Sequence, residues 1–131
     1  MKKIIYVIAS IILLSLVTVV LVFTQYTSIT VDGLKDTYQM GESIEFSLVV
    51  KGYGSQIEIP YLSIKKIGGQ GIIWSSIYGT PFEPPVLPRS FETNWHFPTT
   101  TGVPIRINQT GTYVLKVEAG GQNVEKLFTV N

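Results

Sequence analysis

The feature that most constrains this chain is an apolar run at positions 4–23, in which 20 consecutive residues carry no charge. A helix of that length spans about 30 Å, the thickness of the hydrocarbon core of a bilayer. A signal peptide has a shorter apolar core, of roughly 7–15 residues, and a cleavage site with small residues. Residues 22–26 contain no such site. We therefore expect an anchor that is retained in the mature protein; a cleaved signal sequence is the alternative.

The charges beside this run predict its orientation in the cell membrane. Lys2 and Lys3 precede the run, and the next basic residue along the chain is Lys35. Basic residues that flank a membrane span stay on the cytoplasmic side. Residues 1–26 are thus predicted to be a short cytoplasmic N-terminus and a single-pass transmembrane anchor. Residues 27–131 then form one extracytoplasmic domain of 105 residues, which is enough for one small core.

Composition excludes several classes of function for the outer domain. The chain has 10 Lys and Arg residues against 9 Asp and Glu residues, and two of the basic residues precede the anchor. A domain so close to neutral lacks the basic surface that binds nucleic acid. Cysteine is absent, which excludes disulfides, thiolate metal sites and cysteine nucleophiles. No motif indicates a cofactor or a small-molecule substrate.

Short stretches of alternating apolar and polar residues predict the fold of this domain. Ile44, Phe46 and Leu48, for example, share one face of a strand. Such stretches lie at residues 29–31, 43–50, 57–65, 72–74, 91–95, 105–107, 112–118 and 123–130. Glycine-rich turns at 68–71 and 119–122 separate some of them. The pattern predicts an all-β fold, an immunoglobulin-like β-sandwich of about seven strands, preceded by one N-terminal transmembrane helix.

The order of motifs in the outer domain resembles known families of sandwich domains. The motifs are, in order, Tyr38 with Gly41 and Glu42, then Trp74, then Leu87 and Pro88 before Phe91 and Trp95, then Gly111, Thr112 and Tyr113 before Val114, Leu115 and Val117. This order resembles immunoglobulin-like and fibronectin-III-like domains of membrane-anchored bacterial and archaeal surface proteins. It is also similar to the bacterial proteinase-inhibitor-like sandwich family. The resemblance implies that Tyr113 occupies a tyrosine corner, in which its hydroxyl bonds to backbone a few residues upstream.

The alternating pattern also predicts two core residues. Trp95 and Tyr113 each stand among apolar residues that recur at every second position. Side chains two residues apart on a strand share one face of the sheet. We therefore expect both rings to be largely buried, in or beside the core.

Candidate catalytic and metal-binding residues are few. His96 is the one histidine, and zinc or copper sites need several histidine or cysteine ligands. Glu92 is near His96 in the sequence, but no Gly-x-Ser-x-Gly motif presents a serine to such a pair. Asp32 and Asp36 supply too few oxygen ligands for a calcium loop. We therefore expect no catalytic, metal or cofactor site, and we expect that the protein is not an enzyme.

Two local motifs have a direct structural interpretation. Residues 68–71, Gly-Gly-Gln-Gly, are followed by Ile72, Ile73 and Trp74, which read as a strand. A phosphate-binding loop requires a helix at that point, so this motif indicates a hairpin turn. Asn108 begins the sequon Asn-Gln-Thr and is the candidate glycosylation site.

The stretch most open to a functional interpretation is residues 75–88, which contains four prolines and is predicted to be a long loop. Tyr78, Phe82, Val86 and Leu87 make it more apolar than a connection needs. Loops at the end of a sandwich often carry binding, and aromatic residues are enriched in interface hot spots. These four residues are therefore the candidate protein-binding residues. The alternative is that they cover an open sheet edge.

Together these features favour a non-enzymatic, membrane-anchored module outside the cytoplasm. Such a module binds or supports another protein of the membrane or cell envelope, for instance as an accessory subunit of a membrane complex. The resemblance implies one alternative, a proteinase-inhibitor-like domain that presents an exposed loop to a protease.

Overall fold

The computed structural model describes residues 1–23, 26–54, 59–77, 87–99 and 102–131. Within these ranges the chain forms one helix and ten strands, so the protein is mostly β. The elements are α1 (Lys2–Phe23), β1 (Tyr26–Asp32), β2 (Thr37–Tyr38), β3 (Ser43–Ile44), β4 (Phe46–Gly54), β5 (Tyr61–Lys66), β6 (Ile72–Ile77), β7 (Arg89–Phe97), β8 (Ile105–Arg106), β9 (Gly111–Ala119) and β10 (Gln122–Val130). Seven of these strands have six residues or more, and β2, β3 and β8 have two each.

The helix α1 is an exposed apolar helix. Every side chain from Met1 to Val20 is exposed to solvent. The hydroxyls of Ser10, Ser15 and Thr18 donate to helix carbonyls three or four residues earlier, at 2.8 Å each. These bonds satisfy the polar side chains within the helix, as a lipid environment requires. The helix is long and apolar enough to cross a membrane, a property that a signal sequence shares, so its length and composition suit a signal anchor or a signal sequence.

The strands form two larger sheets and one small sheet. A three-stranded sheet has the order β1-β4-β7, and a five-stranded sheet has the order β2-β10-β9-β5-β6. β3 and β8 form a separate two-stranded sheet. Paired strands are antiparallel, except that β2 runs parallel to β10. The apolar faces of the two larger sheets meet in one core, which makes the domain β-sandwich-like.

The core lies between the two larger sheets. Phe46, Leu48 and Val50 project into it from β4, and Leu115 and Val117 project into it from β9. Each of these side chains is at most 1% exposed. The other buried apolar residues are Val31, Tyr38, Ile44, Leu62, Ile64, Phe97, Ile105, Ile107, Tyr113, Ala119, Phe128 and Val130. Removal of this apolar surface from water is the main force that holds the sheets together.

Tyr113 forms the tyrosine corner that the resemblance implies. Its side chain is 1% exposed, and its ring stacks on Phe128 with 5.7 Å between the ring centroids. The Tyr113 hydroxyl donates a hydrogen bond of 2.7 Å to the carbonyl oxygen of Gln109. Burial also raises the pKa of this hydroxyl, so it stays a donor through the neutral range. The predicted burial of Tyr113 is confirmed.

Trp95 lies beside the core, as its sequence pattern predicts, and it is less buried than Tyr113. It is half-buried and packs against the edge of the core. β7, which carries Trp95, is an edge strand of the three-stranded sheet, with β4 as its one neighbour. Because the described part of the chain places no strand on the other side of β7, part of the indole stays accessible.

The stretch 43–50 forms two strands rather than the single predicted strand. β3 ends at Ile44 and β4 begins at Phe46, with Glu45 between them. The division follows from pairing, because β3 pairs with β8 whereas β4 pairs with β1 and β7. The predicted alternation itself is correct, since Ile44, Phe46 and Leu48 are all buried.

The hairpin between β9 and β10 has the predicted position. Ala119 pairs with Gln122, so Gly120 and Gly121 form a two-residue turn. Their φ angles are 55° and 74°. A two-residue turn with positive φ at both positions is of type I′, which matches the twist of the strands that it joins. Glycine adopts these angles without steric cost.

One end of the domain adjoins α1. β1 begins at Tyr26, and α1 ends at Phe23, so two residues lie between them. Tyr26 pairs with Tyr53, and Tyr53 pairs with Ser90. β7 begins one residue earlier, at Arg89, which pairs with Gly54. We call this end, marked by Tyr26, Gly54 and Arg89, the anchor end.

We call the opposite end of the domain, where β1 ends at Asp32, the far end. After four residues the chain forms β2, which pairs with the last residues of β10, so β10 also finishes at the far end. β9 is antiparallel to β10, and β5 is antiparallel to β9. β6 is antiparallel to β5 in turn, so β6 begins at the far end, at Ile72. The small sheet of β3 and β8 lies there as well, because β3 directly precedes β4.

Replacement of Tyr113 by Phe removes the corner hydroxyl and keeps the ring. We expect the free energy of unfolding to fall by about 1 kcal/mol, the usual net contribution of one hydrogen bond. Chemical denaturation of the full chain in detergent measures this change. Tyr61→Phe is the matched control, because Tyr61 is half-buried and its hydroxyl makes no hydrogen bond within the described ranges. Equal losses for both variants would contradict the corner assignment.

Candidate functional site

β6 is an edge strand without charged residues. Its sequence is Ile-Ile-Trp-Ser-Ser-Ile, and it lies at the end of the five-stranded sheet with β5 as its one neighbour among the described strands. Ile72 and Ile73 are 47% and 48% exposed. An edge strand presents unpaired backbone N–H and C=O groups, and proteins usually protect such edges with charges, proline or bulges. The ladder between β5 and β6 shifts register at Ile64 and Lys65, and beyond that irregularity the edge from Trp74 to Ser76 is regular and unprotected by charge.

Trp74 joins this edge to the core. Its indole is half-buried and meets the ring of Phe97 edge to face, with 6.3 Å between centroids. Phe97 in turn stacks on Phe46 at 4.9 Å. Because Phe97 belongs to β7 of the other sheet, this contact closes the sandwich beside β6. Among the described residues, aromatic packing and not a further strand therefore holds this edge.

An open groove of about 420 Å³ runs beside the start of β6 at the far end. Ile73 and Trp74 form one wall, residues 104–109 form the other, and Tyr113 also lines it. A second hollow of about 180 Å³ lies further along the strand and shares Trp74 and Ile105 with the first. We call the two hollows together the β6 groove. The two hollows together follow β6 from Ile73 to Ser76.

The charge of the β6 groove is positive. Arg106 is the charged residue that lines it, and its guanidinium donates a hydrogen bond of 3.1 Å to the carbonyl oxygen of Gly41. Lys66 lies nearby and donates to Gln109 at 3.4 Å. Ion pairs in the described part of the chain join Lys35 to Glu42, Lys51 to Glu92 and Lys116 to Glu118. Arg106 and Lys66 thus have no carboxylate partner among the described residues.

The ion pair between Lys35 and Glu42, at the far end, shifts the pKa of both side chains. The hydrogen bond from the Lys35 ammonium lowers the pKa of the Glu42 carboxyl, and a hydrogen bond of 2.8 Å from the Gln39 backbone lowers it further. Glu42 raises the pKa of Lys35 in return, first through the same hydrogen bond and then through its charge. The pair is exposed, so solvent and salt screen it strongly. The Lys35–Glu42 pair stabilises the turn that contains Gly41. The carbonyl oxygen of Gly41 accepts the hydrogen bond from Arg106.

The candidate protein-binding residues fall mostly outside the described ranges. Tyr78, Phe82 and Val86 are not described, and Leu87 is 87% exposed. The predicted loop 75–88 begins too early, because β6 continues to Ile77. The ladder with β5 extends through these positions and includes them in the sheet. Binding by these residues stays a prediction.

Asn108 lies at the rim of the β6 groove. Its side chain is exposed, and it lines the groove beside Gln109. An exposed position suits a glycosylation acceptor, and occupancy stays a prediction. Sequence reasoning did not associate Asn108 with β6, because the two stretches are about 30 residues apart in the chain and meet through the fold.

His96 has a partner that the sequence did not indicate. Its ring Nδ1 lies 3.1 Å from the Ser47 hydroxyl oxygen, on the outer face of the three-stranded sheet. Asp32 pairs with Ser47 on the side away from His96, so serine stands between the acid and the imidazole. In a Ser–His–Asp triad the imidazole stands in the middle. Glu92, the acid nearest in sequence, pairs instead with Lys51 at 3.2 Å.

The Ser47–His96 pair is thus a surface hydrogen bond on an open sheet face. Residue alternation assigns both side chains to the outer face, but only the strand register could reveal that they are neighbours. Across the described ranges, no group of three or more His, Asp or Glu side chains is placed to hold a metal ion. The expected absence of metal, cofactor and catalysis stays a prediction.

The turn at residues 68–71 is followed by β6, as predicted, and not by a helix. Gly68 and Gly71 have φ angles of 76° and 85°. Such angles suit a tight hairpin connection. The interpretation as a turn rather than a phosphate-binding loop is confirmed.

Comparisons with known proteins assign no family. No known family matches the chain, and no curated protein matches it in sequence. One similar solved structure is the Pseudomonas fluorescens alkylpurine DNA glycosylase AlkC bound to DNA containing an abasic site analog. Its TM-score is 0.42 at 14% identity, and the match covers 82% of this chain and 30% of the glycosylase chain. Another is the sulfur carrier protein SoxY from Chlorobium limicola f thiosulfatophilum, with a TM-score of 0.33, 18% identity, and coverage of 80% of this chain and 76% of SoxY.

The Lys35–Glu42 pair predicts a pH dependence of stability. A carboxyl whose pKa is lowered in the folded state stabilises that state above its ordinary pKa, 4.5 for Glu42, and the benefit disappears as pH falls through the folded value. Wild type should therefore melt at a higher temperature than Glu42→Gln at pH 7, and the difference should shrink as pH falls below 4.5. Asp36→Asn is the control, because Asp36 is exposed and forms no ion pair among the described residues. A difference that grows on acidification would contradict the assignment.

Proposed function

We propose that this chain is a membrane-anchored, immunoglobulin-like β-sandwich module outside the cytoplasm, which binds another protein of the membrane or cell envelope. The partner contacts the domain along the β6 groove. The chain acts as an accessory subunit whose helix holds the domain at the membrane surface. Binding, rather than catalysis, is its role.

The helix supports the membrane part of this proposal. Residues 4–23 carry no charge, and the described side chains of α1 contact no part of the β domain closely enough to be buried. A fully exposed apolar helix of this length is costly in water and stable in a bilayer. Lys2 and Lys3 lie in the first turn of the helix, directly before its uncharged run, which favours a cytoplasmic N-terminus.

The strand arrangement supports the immunoglobulin-like part. The longer strands divide into three-stranded and five-stranded sheets that enclose one core. The first two strands of the domain belong to different sheets, because β1 pairs in the three-stranded sheet and β2 pairs in the five-stranded sheet. The hydrogen bond from Tyr113 to Gln109 has the geometry of the tyrosine corner of such domains.

The observation that carries the binding proposal is the uncharged, half-exposed edge of β6 beside an open groove. Addition of a partner strand would pair the free backbone groups of β6, which is the general mode of β-augmentation. Ile73 and Trp74 would contact apolar side chains of the added strand. Arg106 and Lys66 would attract an acidic residue near its end. A partner segment that is extended, apolar at alternate positions and acidic at one end fits all of these features.

A charge at the edge of β6 tests this proposal. We expect Ile73→Lys to reduce recovery of a specific partner in co-purification from native membranes by about tenfold, which corresponds to about 1.4 kcal/mol. A lysine at an edge strand opposes pairing with another chain. Leu127→Lys is the matched control, because Leu127 is 61% exposed on β10, in the same sheet but separated from β6 by β9 and β5.

Thermal melts of both variants show whether the domain stays folded, and mass spectrometry identifies the proteins recovered. Support requires that the same protein is lost with Ile73→Lys and retained with Leu127→Lys, with both melting temperatures unchanged. Equal recovery with both variants would refute a partner on β6. Loss that parallels a fall in melting temperature would show that β6 serves only the fold.

A further inference from the structure

The short connection between α1 and β1 limits where the anchor end of the domain can lie. Two residues separate Phe23 from Tyr26. Consecutive Cα atoms are 3.80 Å apart, so the Cα atoms of these two residues are at most about 11 Å apart. If α1 spans the bilayer, Tyr26 therefore lies at or close to the membrane–water interface. Tyrosine is enriched at this depth, and Tyr26 is 60% exposed.

Strand pairing extends this constraint across the three-stranded sheet. Tyr26, Tyr53 and Ser90 form one row, and paired strands lie about 4.8 Å apart, so Ser90 is about 10 Å from Tyr26. Arg89 precedes Ser90 at the extreme start of β7, and Leu87 lies two residues before Arg89. The segment that leads into β7 is thus at the same end of the domain as the anchor.

The side chains at this position suit a lipid surface. Leu87 is 87% exposed, more than any other large apolar side chain that the structure describes in residues 26–131. Arg89 is exposed and forms no ion pair within the ranges that the structure describes. Interfacial segments combine apolar and aromatic residues that enter the headgroup region with basic residues that contact lipid phosphates. Leu87, Arg89 and Tyr26 supply these three properties.

We infer that the anchor end is a lipid-contacting surface, in which Leu87 enters the headgroup region of the outer leaflet beside Tyr26 and Arg89 contacts lipid phosphate. This inference rests on the proposed function, since it requires that α1 is retained in the bilayer. It assigns Leu87 to lipid rather than to a protein partner. It also fixes the orientation of the domain relative to the membrane, with the β6 groove at the end away from the lipid.

The chain offers a clean test because it contains no cysteine. Single cysteines at Leu87→Cys and at Val103→Cys would each carry a nitroxide spin label. The two positions are matched, because Leu87 and Val103 are 87% and 86% exposed and lie at opposite ends of the domain. Because both side chains are exposed, neither substitution removes core packing. Circular dichroism melts of the labelled chains establish that both are folded.

The full-length labelled chains are measured in detergent and then in vesicles of phosphatidylcholine and phosphatidylglycerol. A water-soluble nickel chelate reports exposure to water, and oxygen, which partitions into lipid, reports contact with lipid. We expect reconstitution to cause a loss of nickel accessibility and a gain of oxygen accessibility at position 87. Position 103 should keep its nickel accessibility.

Equal nickel accessibility at the two positions in vesicles would overturn the inference. A loss at position 87 that disappears when the lipid-to-protein ratio is raised would indicate contact between copies of the chain, and would also overturn it. The intact mass of the chain purified from native membranes tests the proposed function separately. A mass that lacks the N-terminal helix refutes the anchor, whereas a full-length mass with a water-exposed label at position 87 refutes only the lipid contact.

Discussion

Burial of the apolar faces of two sheets against each other is the constraint on which the rest of this domain depends. Phe46, Leu48 and Val50 on one sheet oppose Leu115 and Val117 on the other, and all are inaccessible to water. A single sheet of this size would leave one such face exposed, which is not stable in water. The turns, the corner at Tyr113 and the edge at β6 have defined positions only because this core holds both sheets together.

The second constraint is covalent. Because two residues join α1 to β1, an anchored helix gives the sandwich an end near the membrane and an end away from it. The strand pairing then assigns every described turn to one end or the other. The groove beside Trp74 and the sequon residue Asn108 lie at the far end, and Leu87 lies at the anchor end. One domain thereby presents two surfaces of different chemistry.

Local features of the fold could be predicted from the sequence. Strand alternation around Ile44, Phe46 and Leu48, the hairpin at residues 119–122 and the corner at Tyr113 each depend on neighbouring residues and on the resemblance of their motifs. Such signals are present in a single stretch of chain. They are therefore visible before any strand pairing is known.

Features that depend on pairing between distant strands could not be predicted. The sequence does not reveal that β6 is an edge strand, because strand order is a property of the whole sheet. The contact of Ser47 with His96 requires the register of β4 on β7. The break at Glu45 and the partial exposure of Trp95 have the same origin, since both follow from which strands are neighbours. The candidate groove was missed for this reason.

The central claim is that α1 anchors a domain that stands outside the cytoplasm. The most direct test uses a membrane-impermeant maleimide on two variants of the otherwise cysteine-free chain, in intact and in permeabilised cells. One variant has a cysteine inserted between Met1 and Lys2, which keeps both lysines, and the other is Leu127→Cys, an exposed position away from the β6 groove. We predict that Leu127→Cys is labelled in intact cells and that the N-terminal cysteine is labelled only after permeabilisation. Labelling of the N-terminal cysteine in intact cells, protection of Leu127→Cys, or loss of the N-terminal cysteine from the mature chain would contradict the claim.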